Sequence, residues 1–225
     1  MELNTLQKFL LLAQHPKKGA FATSHIYISY GIIGAILLEL ALLDKISIEK
    51  EILIVKNDRG VDHSMFSEVL TKIKSSKKPR KVKHWIIKLA RESRAYKWTI
   101  LNELVDQRIV RIESKKFLGF IPYKRHYLID KRIRTKLIDQ VKKNIFSKED
   151  LIEKDVIVLG LVEACKMHRI ITTDRGELKR LKKELKEIIK DSPIAETVDT
   201  TIKQVQATIM MAIIAASVTT TTTSN

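Results

Sequence analysis

The feature that most constrains this chain is the stretch SHIYISYGIIGAILLELALL, Ser24–Leu43, which is apolar for most of its length. From Ile26 onward the run has the ~18 residues at which a membrane-spanning helix becomes possible. Glu39 lies well inside it, however, and a carboxylate there costs about 2.5–3.5 kcal/mol on insertion scales. No pair of aromatic anchors flanks the run, and an alternating, strand-like pattern follows it directly. We therefore predict a helix enclosed by other helices of a folded domain, and no membrane span.

The patterns around this segment predict a mainly α fold, a single globular helical domain around a buried central helix with two or three short β-hairpin insertions. The other helices are predicted at Leu3–Gln14, Ser64–Lys74, KVKHWIIKLARES, Trp98–Gln107, Lys131–Ile145, Lys148–His168, Gly176–Lys190 and Ala195–Val218. Strands are predicted at Ile46–Glu49 and Ile52–Lys56, and a hairpin or three-stranded ribbon at Ile109–Glu113, Phe117–Ile121 and Arg125–Ile129. Residues 1–218 are expected to form one domain, and residues 219–225 a low-complexity disordered tail.

The charge balance favours an anionic partner. The chain carries 42 Lys and Arg residues against 26 Asp and Glu, a formal net charge of +16. Such an excess favours nucleic acid or an anionic membrane surface over acidic proteins alone, although solvated helices account for part of it. The single cysteine, Cys165, leaves no disulfide framework and fits a reducing, cytoplasmic setting. Glu2 stands where a signal peptide would carry basic residues, so the N-terminus is interpreted as an amphipathic helix.

The sequence carries no pattern that indicates catalysis. It has no phosphate-cradling glycine loop, no nucleophile elbow and no histidine pair at helical metal spacing. Carboxylates such as Glu39 and Glu163 lie in apolar helices, where a single buried acid is more often a structural group than a catalyst. We therefore predict a protein that is not an enzyme and that uses no cofactor or metal.

Two basic clusters are the main functional signal. Residues 72–97 hold Lys and Arg residues with a single acid, Glu92, and a second cluster surrounds the predicted ribbon between Lys115 and Arg134. Near an anionic leaflet each such cation contributes on the order of 1 kcal/mol, and the same cations would neutralise phosphates on a duplex. A helix followed by a basic ribbon at residues 109–129 has the outline of a winged-helix module, which keeps nucleic-acid binding open as the alternative function. The ribbon's apolar segment FLGFI, residues 117–121, favours burial or partner contact over phosphate.

Several phrases of the chain resemble the Golgi phosphoprotein 3 family of peripheral membrane proteins. They are GIIGAILLELALLDKISIE, KHWIIKLARES, LVDQRIVRIESKKFLGFIPYKRHYLID and IMMAIIAAS. The resemblance extends over Leu3–Val218 and rests on the order and spacing of these phrases. It implies a mostly helical fold and peripheral binding to phosphatidylinositol 4-phosphate, with Golgi members acting as adaptors between glycosyltransferases and vesicle coat. The chain begins almost at its first helix, without the basic arm of Golgi members, and is in this respect more similar to compact bacterial members.

The resemblance also implies a head-group pocket, built in the family from a tryptophan and an arginine around the central helix and an arginine pair further on. These positions fall here at Ser24, at Ile33, and close to Asp150 and Glu153 or Lys154; none holds the family's residue. The head-group residues that the resemblance implies here are Lys148, Lys154, Arg169, Ser24 and His25. The implied membrane-insertion loop is MHRIITTDRGE with Ile170 and Ile171 at its tip, and the implied peripheral basic patch is Arg80, Lys81 and Lys83.

Together these inferences predict a cytoplasmic protein, peripheral on a membrane surface, that binds anionic phospholipid of the phosphoinositide type and acts as an adaptor. The expected partners are an anionic membrane surface, protein clients and a second copy of the chain through a hairpin, with nucleic acid as the alternative. A third class, a scaffold that binds protein through its hairpins, predicts that deleting residues 57–60 abolishes self-association while leaving lipid binding intact.

Overall fold

The computed structural model describes residues 3–148, 151–191 and 195–222. Its helices are α1 Thr5–Ala13, α2 His25–Leu42, α3 Ser64–Lys74, α4 Val82–Ala90, α5 Ser93–Asp106, α6 Lys131–Ser147, α7 Glu153–Ala164, α8 His168–Ile171, α9 Arg175–Asp191 and α10 Ala195–Thr222. Its strands are β1 Ile46–Glu49, β2 Ile52–Val55, β3 Arg80–Lys81, β4 Val110–Phe117 and β5 Ile121–Leu128. The predicted mainly α fold with short hairpins is confirmed.

Helix α2 is the centre of the core. Helices α1, α4, α5, α7 and α10 pack around it, and side chains such as Ile32, Ile36 and Leu37 have no exposed surface. By length and composition alone α2 would qualify as a membrane span, but 67% of its residues are buried inside the protein. Glu39 is also buried, at 7% exposure. The packing therefore confirms the prediction that neighbouring helices enclose this helix.

Small residues let the neighbouring helices approach α2 closely. A Cβ atom added at Gly31 would stand 2.7 Å from the Cys165 sulfur and closer still to the Phe9 ring. On the partner helix α7, a Cβ at Gly160 would collide with Ile202 of α10. Glycine at these positions is required by the close approach of the helices, because any larger side chain would occupy space already filled by the core.

The strands form two small antiparallel sheets. In the first, β2 lies between β1 and β3. In the second, β4 and β5 pair in register from Val110 with Leu128 to Phe117 with Ile121, and we call this pair the basic hairpin. The prediction of a separate strand at Phe117–Ile121 was wrong, because residues 118–120 form the turn that joins β4 to β5.

Three other boundaries differ from the sequence predictions. Helix α5 begins at Ser93, before the predicted Trp98. The predicted helix Lys148–His168 is shorter, because Lys148 has a φ of 56° and ends α6, while α7 runs only from Glu153 to Ala164. Helix α10 continues to Thr222, into the segment predicted to be disordered, and residues 223–225 lie outside the described part. Ser24 takes the N-cap position of α2, but its side chain makes no capping hydrogen bond.

Candidate functional site

The residues that the resemblance proposed for a head-group pocket do not all come together. Helices α2 and α7 lie side by side in opposite directions, because Gly31 meets Cys165 while Ala41 and Glu153 line one depression at the other end. His25 therefore lies at one end of α2 and Lys154, beside Glu153, near the other. An α-helix of this length spans about 27 Å, which is too far for one head group to contact both.

Lys148 is already paired within the protein. Its Nζ lies 2.7 Å from a carboxylate oxygen of Glu184 and 3.2 Å from one of Glu187, both on α9. These two hydrogen-bonded carboxylates raise the pKa of Lys148. An incoming phosphate would have to compete with two carboxylates for this ammonium group, so Lys148 is poorly placed as its main ligand.

The segment proposed to enter lipid is largely folded into the protein. His168–Ile171 forms the one-turn helix α8; Ile171 is 3% exposed, and Ile170 is partly buried against the core. Only Arg169 of this turn is well exposed. Because Ile171 is a core side chain, it is not the apolar tip that the resemblance implied.

The peripheral basic patch lies on strand β3 and the start of α4. Arg80 and Lys81 are exposed, and Lys81 forms an ion pair with Glu51 at 3.0 Å. Lys83 is partly buried. Arg80 also lines a depression of about 220 Å³ that includes Lys77 and Lys78. The three residues are neighbouring cations, as the resemblance implied, but the charge of Lys81 is neutralised by Glu51.

A different group of cations converges between α5, the basic hairpin and the start of α2. They line a cavity of about 670 Å³, which we call the cationic cleft. Its lining residues are His25, Arg94, Lys97, Trp98, Ser114, Pro122, Tyr123 and Lys124. An adjoining depression of about 360 Å³ shares some of these residues and adds Arg125 and His126. Among the described residues that line the two cavities, every charged side chain is basic.

Trp98 lies at the middle of the cationic cleft. The ammonium groups of Lys97 and Lys124 lie 4.7 and 5.5 Å from the centre of its rings, at cation–π distance. These contacts hold a cation from α5 and one from β5 over a single aromatic surface. Within the part of the chain that the structure describes, no carboxylate lines this cavity, so a bound anion would relieve the mutual repulsion of these cations.

The pKa values of Lys97 and of His126, in the adjoining depression, are both lowered, first by burial and second by neighbouring positive charge. Burial, followed by the nearby charge of Arg94, lowers the pKa of Lys97. Burial lowers the pKa of His126 to about 4, and the charges of Lys97 and Arg125 add to this effect. Both shifts disfavour additional positive charge at the same place. The basic lining of the cleft, more than these shifts, makes it a local region of positive potential that suits a phosphate or another multivalent anion.

The basic hairpin is fixed against the protein through its base. The Gln14 amide donates a hydrogen bond to the His126 carbonyl at 2.6 Å, and the His126 Nδ1 lies 2.7 Å from the Gln14 Oε1. Glycine at position 19 lets the hairpin approach closely, because a Cβ atom added there would lie only 2.7 Å from the Cβ atom of Arg125. These contacts set the position of Lys124 relative to α5, which is why the cleft exists.

We expect protonation of His126 to loosen this attachment. Its pKa is about 4 in the folded protein, against about 6.5 for an unfolded histidine, so between these values the unfolded chain binds more protons. Stability is therefore expected to fall with decreasing pH through this window, by on the order of 2 kcal/mol from pH 7 to pH 5. Urea denaturation at the two pH values measures it. The variant His126→Gln, which has no titrating ring, should lose less stability over the same interval; an equal loss in both proteins would contradict the assignment.

A comparison with protein families agrees with this architecture. The sequence model of the Golgi phosphoprotein 3 family matches residues 6–205, from α1 into α10, and so includes both the central helix and the basic hairpin. The chain belongs to the Golgi phosphoprotein 3 family. The resemblance seen in the sequence phrases is thereby confirmed.

The chain belongs to the Golgi phosphoprotein 3 family, but the positions that the resemblance assigned to the family's pocket do not hold the family's pocket residues. Ile33, at the place of the central arginine, is completely buried in the core. Asp150 lies outside the described residues. The cationic cleft instead draws on α5 and the hairpin, which the sequence reasoning did not join into one site. The available signal was the helical spacing of Arg94 and Lys97, together with basic residues on the neighbouring ribbon.

Proposed function

We propose that this protein is a peripheral membrane protein that binds anionic phospholipid reversibly through the cationic cleft. The observation that carries the proposal is the convergence of Arg94, Lys97 and Lys124 in one cavity without a lining carboxylate among the described residues. Each cation near an anionic leaflet contributes on the order of 1 kcal/mol, so several acting together hold a protein at the surface without inserting a helix.

This cavity suits a phosphoinositide-type head group better than a head group with a single negative charge. Its phosphates present several anionic oxygens, which match cations that arrive from two different elements. Trp98 offers an apolar surface beside them on which the ring of the head group can rest. Membership in the Golgi phosphoprotein 3 family supports the same ligand class and an adaptor role with protein clients at the cytoplasmic side of a membrane.

We expect wild-type protein to sediment with vesicles that contain anionic lipid and to remain in solution with pure phosphatidylcholine. Binding should weaken as salt is raised, because exposed charges are screened over about 8–10 Å at physiological ionic strength. Vesicles of phosphatidylcholine with phosphatidylserine, or with phosphatidylinositol 4-phosphate at matched surface charge, separate general charge attraction from head-group preference. Equal binding to uncharged vesicles would contradict the proposal.

Two further readouts distinguish the alternatives. Trp98 lies in the cationic cleft while the chain's other tryptophan, Trp85, is buried in the core, so a change of tryptophan emission on adding vesicles reports on the cleft. Retention on duplex DNA at the same salt, with no sedimentation on anionic vesicles, would favour nucleic-acid binding in place of membrane binding.

A further inference from the structure

Strand β2 has one edge that is partly uncovered. Strand β3 pairs with Ile52 and Leu53 and reaches no further along it. Ile54 and Val55, which we call the open edge, therefore have no strand beside them on the side of β3 in the part of the chain that the structure describes. The side chain of Ile54 is exposed, so an incoming segment can reach this edge.

The backbone of Val55 is directed toward the uncovered side. In an antiparallel sheet the hydrogen-bonding groups along a strand alternate between its two neighbours. The Lys56 N–H donates toward β1, to the Lys45 carbonyl at 2.9 Å. The Glu51 carbonyl accepts from the Val82 N–H on the opposite side, also at 2.9 Å. Val55 has the same direction as Glu51, so its N–H and C=O face away from β1 and toward the open edge.

Strand β3 does not continue far enough to pair with Val55. Its register would place Lys78 opposite Val55. The Lys78 carbonyl instead accepts a hydrogen bond from the Ser76 hydroxyl at 2.8 Å, and Pro79 restricts the backbone between Lys78 and β3. One place in the ladder is thus left empty, and an unpaired strand edge of this kind is a template for another extended segment.

The surroundings of the open edge are basic. The depression of about 220 Å³ beside it is lined by Lys74, Lys77, Lys78 and Arg80, and by no carboxylate among the described residues. Lys74 is paired with Asp58. Lys77, Lys78 and Arg80 are exposed and form no ion pair within the described part of the chain, so three cations are available to a partner.

The floor of the depression is apolar. Ile73 and Trp85 line it and are buried, and Leu53 turns the same face of the sheet toward the core. Successive side chains of a strand point to opposite faces, so alternate side chains of an added strand would face this floor. The others would face water beside the cations. The sequence that fits both faces alternates apolar residues with aspartate or glutamate.

We propose that the open edge binds an extended acidic segment of a client protein by strand addition. A peptide backbone supplies both the acceptor and the donor that Val55 requires, whereas the phosphates of a nucleic acid or a lipid supply acceptors alone. Lysine beside an open edge disfavours pairing with uncharged or basic strands, so the cations select an acidic one.

The open edge and the cationic cleft lie at opposite ends of the central helix. Val55 pairs with Ile46 at the start of β1, just beyond the C-terminal end of α2. His25, which lines the cleft, begins α2 at its other end. A helix of this length spans about 27 Å, so a peptide and a lipid head group can be bound at the same time.

A fluorescein-labelled peptide of about six residues, the usual length of a strand, tests the proposal when valine alternates with glutamate in it. Fluorescence anisotropy without vesicles should show saturable binding to wild-type protein that weakens as salt is raised. Lys77→Glu with Lys78→Glu should weaken this binding by about tenfold or more, because two attractions become repulsions. Absence of saturable binding to wild type would overturn the proposal.

The matched control is Lys179→Glu with Lys183→Glu, which makes the same change of net charge at exposed positions of α9. It should bind the peptide as wild type does, and thermal unfolding checks that both variants are folded. An equal loss in the two variants would show that net charge and not the open edge governs binding, and would overturn the proposal.

Methylation of the peptide backbone tests strand addition in wild-type protein, without any change to its fold. Alternate N–H groups of an added strand face β2 and the rest face water. Of two peptides methylated on alternate nitrogens, one should therefore lose affinity by about tenfold or more and the other much less. Equal effects of the two methylations would overturn strand addition, and so would equally tight binding of a single-stranded oligonucleotide of the same charge. Because no vesicle is present, these outcomes do not depend on whether the cationic cleft binds lipid.

Discussion

Reversing two charges in the cationic cleft, with Arg94→Glu and Lys124→Glu together, is expected to weaken binding to anionic vesicles on the order of 100-fold. Each substitution removes an attraction of about 1 kcal/mol and introduces a repulsion of similar size. Salt screening reduces the sum to about 3 kcal/mol. Vesicle sedimentation over a range of lipid concentrations measures this change directly.

The two positions are suitable because both side chains are exposed, so the fold should be retained. A matched control is Lys179→Glu with Lys183→Glu, which changes the net charge by the same amount on exposed positions of α9. That helix packs against α6, α7, α8 and α10, away from the cleft elements. If the control loses as much affinity as the cleft variant, then net charge and not the cleft governs binding. Thermal unfolding of both variants checks that neither loss comes from misfolding.

Much of the fold follows from local patterns. The long apolar run predicts the central helix, and the alternation around Ile46–Glu49 and Ile52–Val55 predicts a hairpin that the structure contains. Boundaries were less predictable where the backbone reverses at residues other than glycine. Lys148 and Lys166 adopt positive φ values, and neither carries the usual glycine signal for the end of a helix.

The sequence showed the two basic clusters but did not predict that they meet in the cationic cleft, because its residues come from distant segments. Arg94 and Lys97 lie on α5, whereas Lys124 lies on a strand whose position depends on the contact of His126 with Gln14. No local sequence pattern around Trp98 or around this strand indicates that the two lie side by side. The burial of Ile171 was missed for a related reason: a short apolar pair inside a polar segment looks like a loop tip until its packing partners are known.

The second large effect is expected at the closest contact of the central helix. Gly31→Val should lower the free energy of unfolding by about 3 kcal/mol or more, because even the first added carbon would overlap the Phe9 ring and stand 2.7 Å from the Cys165 sulfur. Gly176→Val is the matched control: its nearest neighbour would be an Asp174 oxygen at 3.4 Å, so its effect should be small. Urea denaturation in aqueous buffer without detergent measures both.

Truncating Phe9 tests whether the Gly31 effect is caused by this overlap. Phe9→Ala alone leaves a cavity and should cost about 3–5 kcal/mol. In the double variant the valine occupies part of that cavity, so the combined loss should fall short of the sum by about 1 kcal/mol or more. Strict additivity would show that the two sites do not share space.

A helix facing hydrocarbon would accept valine as readily as glycine. A Gly31→Val variant as stable as wild type, or a chain extracted only by detergent, would therefore refute the enclosure of α2 by its neighbours. It would also refute binding through surface cations alone.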